Sequence, residues 1–198
     1  EEVNKVAQGF KNSFTDFEII KSRSNQGLAN SILSGIDSIF LKHDSVVVLE
    51  DDILISSYCI DYFDFFLNEY SDAMEVFSIS AYNPAEAAKL TDYKYDIFST
   101  YRMQCWGWFS SAENWNNFRR ECSDSLLKTI DREEYILEIG EDSYLRLQET
   151  ISKNKSLWAN QWIGFNKIIN KPSLVVSSSY ASNIGIGNGA NKFSQFSK

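Results

Sequence analysis

The sequence is poor in histidine, proline, methionine and cysteine, with one, two, two and three of them in 198 residues. A single histidine, His43, excludes a histidine-rich metal centre, and its place in a polar loop reads as surface. Cys59, Cys105 and Cys122 show no metal-ligand spacing, and their odd number points to a reduced compartment and to core positions. No apolar run approaches the ~20 residues that cross a bilayer. No basic stretch followed by an apolar one marks a signal peptide. The expectation is a cytoplasmic protein, with peripheral attachment at the inner face of the membrane left open. Basic residues are also scarce, 19 Lys and Arg against 27 Asp and Glu, giving a net charge of −8. That balance excludes a general nucleic-acid binder, which needs clustered cations to displace counterions. A phosphorylated substrate would therefore require a divalent metal as a bridge.

Aromatic residues are abundant by contrast. They make up 15% of the chain, which suits both stacking surfaces and packing. The length fits one domain, residues 1–198, with a sizeable core.

Periodicity organises the chain as alternating helices and strands. Val3, Val6, Ala7 and Phe10 recur at helical spacing, and Phe17-Glu18-Ile19-Ile20 reads as a strand. Leu28, Ile32, Ile36 and Ile39 form a helical stripe that leads into Val46-Val47-Val48-Leu49. A further amphipathic helix spans Cys59 to Tyr70, and strands follow at Val76–Ser80 and Ile97–Tyr101. Trp106-Gly107-Trp108 opens a region of mixed character. Asp142–Gln148 and Asn160–Ile169 read as helices and Leu174–Val176 as a late strand. The Gly-, Asn- and Ser-rich stretch 185–198 reads as a mobile tail. This alternation predicts an α/β fold with a mixed, mostly parallel sheet flanked by helices.

The densest chemistry lies at Val46-Val47-Val48-Leu49-Glu50-Asp51-Asp52, an apolar strand ending in three carboxylates. Acids at the carboxyl end of a buried strand need a cation or solvent, and ligands of open α/β sheets bind at that end. Two other patterns flank it in order, Ser22-Arg23-Ser24-Asn25-Gln26-Gly27-Leu28-Ala29-Asn30 before it and Gly140-Glu141-Asp142-Ser143 after it. With Cys105-Trp106-Gly107-Trp108, Trp158-Ala159-Asn160-Gln161-Trp162 and Ser182-Asn183-Ile184-Gly185, this order resembles the GT-A glycosyltransferases. The nearest likeness is to family 2-like bacterial sugar transferases and the N-acetylglucosaminyltransferase that starts N-glycan branching.

That resemblance implies a GT-A, Rossmann-like fold and an inverting transfer of a sugar from a UDP-linked donor to a saccharide or glycolipid hydroxyl. The implied setting is surface polysaccharide or lipopolysaccharide assembly. It implies Asp52 as the ligand of Mn²⁺ or Mg²⁺, hard cations that suit carboxylate oxygen. Glu50 and Asp51 would approach the ribose and the donor sugar, and Arg23, Asn25, Gly27 and Asn30 would line the donor side. Asp142 would take the acceptor proton as general base, with Glu141 as the alternative. Trp106, Gly107, Trp108 and Trp158 would form the acceptor side, although both tryptophans of the first motif read equally well as core. Asp142 and Glu141 also suit a helix amino terminus for purely structural reasons.

The chain departs from the pattern in three places. Ala159 and Asn160 stand where the branching enzyme has an Asp, and Asn191 stands in the region where many relatives place a metal-binding His. The family's first strand would precede the helix at Val3–Phe10, so the sheet is expected to lack it and to expose an edge open to a homodimer. These departures also fit a second reading, a catalytically inactive carbohydrate-binding or scaffolding remnant of the same fold. A phosphotransfer enzyme is less favoured, because no Gly-rich phosphate loop ending in Lys and Ser or Thr is present.

Overall fold

The computed structural model describes residues 2–70, 75–84, 93–153 and 157–185. Eight α-helices and seven strands follow one another among them. Helix α1 (Glu2–Gly9) and a 3-10 turn (Lys11–Ser13) lead to α2 (Gly27–Ile39), β1 (Ser45–Val48), β2 (Ile53–Ile55) and α3 (Cys59–Tyr70). Then come β3 (Ile79–Ser80), β4 (Ile97–Thr100), β5 (Trp108–Ser111), α4 (Ala112–Glu121), α5 (Asp124–Leu127), α6 (Arg132–Glu138) and α7 (Glu141–Lys153). Helix α8 (Trp158–Ile168), β6 (Ser173–Val176) and β7 (Ala181–Asn183) complete the order.

Five strands form one sheet in the order β1-β5-β3-β6-β4, and β2 pairs with β7 in a separate two-stranded sheet. The fold is mixed α/β as expected, but the sheet is mostly antiparallel. Only β3 and β6 run parallel, whereas β1–β5, β3–β5 and β4–β6 are antiparallel. The expectation of a mostly parallel sheet fails because β5 inserts between β1 and β3 in the opposite sense. The Trp-Gly-Trp segment has no clear period, so nothing in its local sequence marks this central strand.

The register sorts side chains to two packed faces. Val46, Val48 and Trp108 turn toward the larger cluster, built with Leu33, Ile36, Trp115, Trp162 and Phe165. Val47, Phe109, Ile79 and Leu174 turn to the other side, against Cys59, Phe63 and Phe66 of α3. Burial on both faces explains why the strand at Val46–Val48 reads as a continuous apolar run rather than an alternation. It also confirms helices on both faces of the sheet.

Local chemistry sets the helix starts. Ser111, Ser123 and Asp131 cap α4, α5 and α6 by accepting from the backbone N–H of Asn114, Leu126 and Glu134. The helices at Val3–Phe10, Gly27–Ile39, Cys59–Tyr70, Asp142–Gln148 and Asn160–Ile169 all form within a few residues of their expected bounds. The strand expected at Phe17–Ile20 does not pair. Phe17 and Ile19 are half-buried and Glu18 and Ile20 exposed, an extended alternation without ladder hydrogen bonds. The strand expected at Val76–Ser80 shrinks to Ile79–Ser80. Of the expected tail, 186–198, including Gly189, Ala190 and Asn191, lies outside the described residues.

A polar tie joins α2 to α4 within the larger core. The fully buried Trp115 donates its indole N–H to Asp37 Oδ1 at 2.7 Å, and Arg119 donates to Asp37 Oδ2 at 3.1 Å. Asp37→Ala leaves a buried donor unpaired and is expected to destabilise the fold by about 1–3 kcal/mol. Arg119→Ala removes only a solvent-screened partner and is expected to cost less than about 1 kcal/mol. Urea midpoints at unchanged slope measure both, and equal losses would contradict the tie.

Candidate functional site

The acidic turn sits where β1 ends. Glu50, Asp51 and Asp52 reverse the chain, closed by the Ile53 N–H donating to Glu50 O at 3.1 Å, and β2 begins at once. Pairing of Ile53 with Asn183 then brings the segment Ser182-Asn183-Ile184-Gly185 against the acids. Asn183 Oδ1 accepts from the Gly185 N–H at 2.8 Å, which orients the amide so that Nδ2 donates to Asp52 Oδ2 at 3.1 Å. The Ile184 N–H donates to Asp52 O at 2.9 Å.

Gly185 is required by proximity. A Cβ there would lie 2.4 Å from Asp52 Oδ2 and 3.0 Å from Asp52 Cβ. The second carboxylate oxygen, Asp52 Oδ1, is withdrawn from solvent and has no hydrogen-bond partner among the described residues. Buried charged oxygens without donors are rare, and a cation is their usual complement. Burial first, and then the charges of Asp52 and Asp51, hold the Glu50 carboxyl above its ordinary pKa. Burial raises the Cys105 thiol to about 11, with smaller contributions from the charges of Glu50 and Asp52. Among the described residues, no three His, Cys, Asp or Glu side chains converge as a metal-holding group. A hard cation shared with substrate phosphates needs only one or two carboxylates, so Asp52 with its free oxygen fits that chemistry.

Gly107 lies under this turn. Its φ of +76° is a left-handed conformation, and a Cβ would lie 3.4–3.6 Å from Ala181, Leu49 and Ala81. It therefore serves backbone packing beneath the acids. Trp106 is half-buried with its ring 4.5 Å from that of Tyr82. Trp108 and Trp158 are core residues, 0% and 5% exposed, with ring centroids 5.3 Å apart. The expectation that they present a face to an acceptor is corrected, because other aromatic rings already cover them.

The donor-side residues are placed but not joined to the acids. The short connection from α2 to β1 makes the strand return along the helix, which sets the start of α2 toward the acidic end of the sheet. Arg23, Asn25, Gly27 and Asn30 are exposed there. Asn25 Oδ1 accepts from the Gly27 N–H at 2.8 Å, and Asn30 Nδ2 donates to Gln26 O at 3.0 Å, so both amides shape the helix start.

Asp142 and Glu141 open α7, and Arg102 engages both oxygens of Asp142, at 2.9 and 2.6 Å. The same guanidinium donates to Ile139 O at 3.1 Å. Its hydrogen bond holds Asp142 below the ordinary carboxylate pKa, although partial burial opposes the shift. Arg102 follows Thr100, which pairs with Ser173 at the entry of β6, whereas the acids follow Val48 at the exit of β1. Because β1 and β6 share a direction, these anchors leave the sheet at opposite ends. No hydrogen bond or ion pair among the described residues joins Asp142 to the acidic turn. Glu141 is held more loosely, 3.9 Å from Arg132.

No protein-family model matches the chain, and no curated protein matches it. No helix among the described residues is long and apolar enough to cross a membrane.

The Arg102–Asp142 pair sets an acid dependence. Because the folded carboxyl holds its proton less readily than the unfolded one, the stabilisation is complete above the unfolded pKa and is lost as pH falls through the folded one. Solvent screening limits it to about 1 kcal/mol. Asp142→Asn should be less stable than wild type at neutral pH, and the two melting curves should converge in acid. A gap independent of pH would contradict the pairing.

Proposed function

We propose that the chain is a metal-dependent, inverting glycosyltransferase domain that moves a sugar from a nucleotide donor, UDP-linked, to a saccharide or glycolipid hydroxyl. The observation that carries this reading is Asp52, with one oxygen fixed by Asn183 and the other enclosed and unpaired among the described residues. A bound Mn²⁺ or Mg²⁺ would neutralise charge developing on the diphosphate leaving group. In this reading Asp52 Oδ1 offers a rigid ligand, because the β2–β7 pairing fixes its carboxylate before any substrate arrives. Glu50 and Asp51 are available to accept from hydroxyls of the ribose and the donor sugar. Arg23 and the α2 start stand on the donor side.

The resemblance assigns the proton acceptor to the opening of α7, but that helix start is anchored at the end of the sheet opposite the acidic turn, so the transferase reading leaves the base unassigned. Arg102 holds both oxygens of Asp142, and Glu141 lies 3.9 Å from Arg132, so each of these acids has a cationic partner of its own there. That separation of the α7 acids from the acidic turn favours, as the second reading, a binding or scaffolding domain of the same ancestry that performs no transfer.

Titration of Mn²⁺ with and without UDP tests the two readings, since a ligand of the native state raises the melting temperature. At a hundredfold excess over Kd the gain is about 2.7 kcal/mol. The transferase reading expects UDP stabilisation that requires Mn²⁺ and is absent in Asp52→Ala. UDP binding unchanged in Asp52→Ala, or no binding of either ligand, would overturn it.

A further inference from the structure

On the α3 face, a cavity of about 390 Å³ opens at the end of the sheet away from the acidic turn. Phe66, Leu67, Val76 and Phe109 supply apolar walls, and Lys171 and Asn114 supply the polar one. This volume and mixture suit a small organic ligand. Asn114 is buried and fixed, donating from Nδ2 to Val76 O at 2.9 Å and to Phe77 O at 3.0 Å. Its Oδ1 accepts from Lys171 Nζ at 2.7 Å.

Among the described residues that neutral amide is the only hydrogen-bond partner of the Lys171 ammonium, and no carboxylate lies within ion-pair distance of it. A half-buried ammonium thus keeps two unused donors and no ion pair among the described residues, beside an apolar chamber. Burial pushes its pKa below the ordinary lysine range, opposed by the charge of Glu113. Asp44 and Glu113 also line the cavity and are exposed, which places them at its rim. They disfavour a dianion such as a phosphate monoester and favour a ligand with its own cationic group.

We propose that this cavity binds an apolar α-amino acid, its carboxylate on Lys171, its ammonium toward Glu113 and Asp44, and its side chain against Phe66, Val76 and Phe109. The zwitterion satisfies the unpaired ammonium without adding net charge to a rim that already carries two acids. The site is independent of the acidic turn and of the transfer proposed for it.

Calorimetry on the whole chain with L-leucine tests the site, with 4-methylpentanoate and 3-methylbutylamine as analogues lacking the ammonium and the carboxylate. Leucine is expected to bind with a Kd near or below about 1 mM, and each analogue roughly tenfold or more weakly. Lys171→Met should abolish binding by removing the anchor. Leu67→Trp should abolish it by filling the chamber, and it carries the test if Lys171→Met melts early. Absence of leucine binding, equal affinity for either analogue, or binding retained in a folded Leu67→Trp variant would overturn the proposal.

Discussion

The rest of the structure depends on β5. It is the strand that both β1 and β3 need, since each pairs with it and neither pairs with the other. Its first residue, Trp108, is fully buried among Trp115, Trp158 and Trp162, so the strand ties the sheet to the helices of the larger core. Its last residue, Ser111, caps α4. The glycine before it lets Leu49 and Ala181 approach closely, which is where the acidic turn and β7 come together. One short segment therefore sets pairing, packing, a helix start and the seat of the acids. Antiparallel insertion is what allows this, because the amino end of β5 lies beside the carboxyl ends of β1 and β3.

Charge is distributed unevenly along the sheet. The exit of β1 carries three carboxylates whose only fixed donor among the described residues is the amide of Asn183. At the opposite end, the entry of β6 is bordered by Lys171, and Arg102 grips Asp142. A net charge of −8 would otherwise be diffuse surface repulsion. Here its sharpest concentration is held rigid and partly desolvated, a condition that structural stability alone does not favour. Such a local cost marks functional sites more often than ordinary surfaces.

The helices were legible in the sequence because their apolar positions recur at 3.6-residue spacing and pack on one side. The sheet was less so. Val46–Val48 and Leu174–Val176 stood out as apolar runs, but β5 begins at a Trp after a left-handed glycine and continues into two serines, which masks its period. Strands β2 and β7 have three residues each, too short for any pattern, and their pairing rests on a contact distant in sequence. Phe17–Ile20 has the alternation of a strand but no partner strand among the described residues. At the site, the acids and the Ser182–Gly185 motif were each visible. Their meeting was not, because nothing local to either segment encodes the register of Ile53 with Asn183. Trp108 and Trp158 show the reverse limit, since burial rather than residue type decides whether an indole stacks on a ligand or on its neighbours.

The pairing that holds Asp52 joins residues 131 positions apart. Closing so long a loop is entropically costly before any contact rewards it, so this clasp is a late event in folding rather than a nucleus. The two strands that form it have only three residues each, and among the described residues they belong to no larger ladder. The acid site is thus assembled late, as β7 docks on Ala81 and on the core beneath it. Whatever binds Asp52 would reinforce a contact between segments 131 positions apart and offset part of the entropy that closing their loop costs.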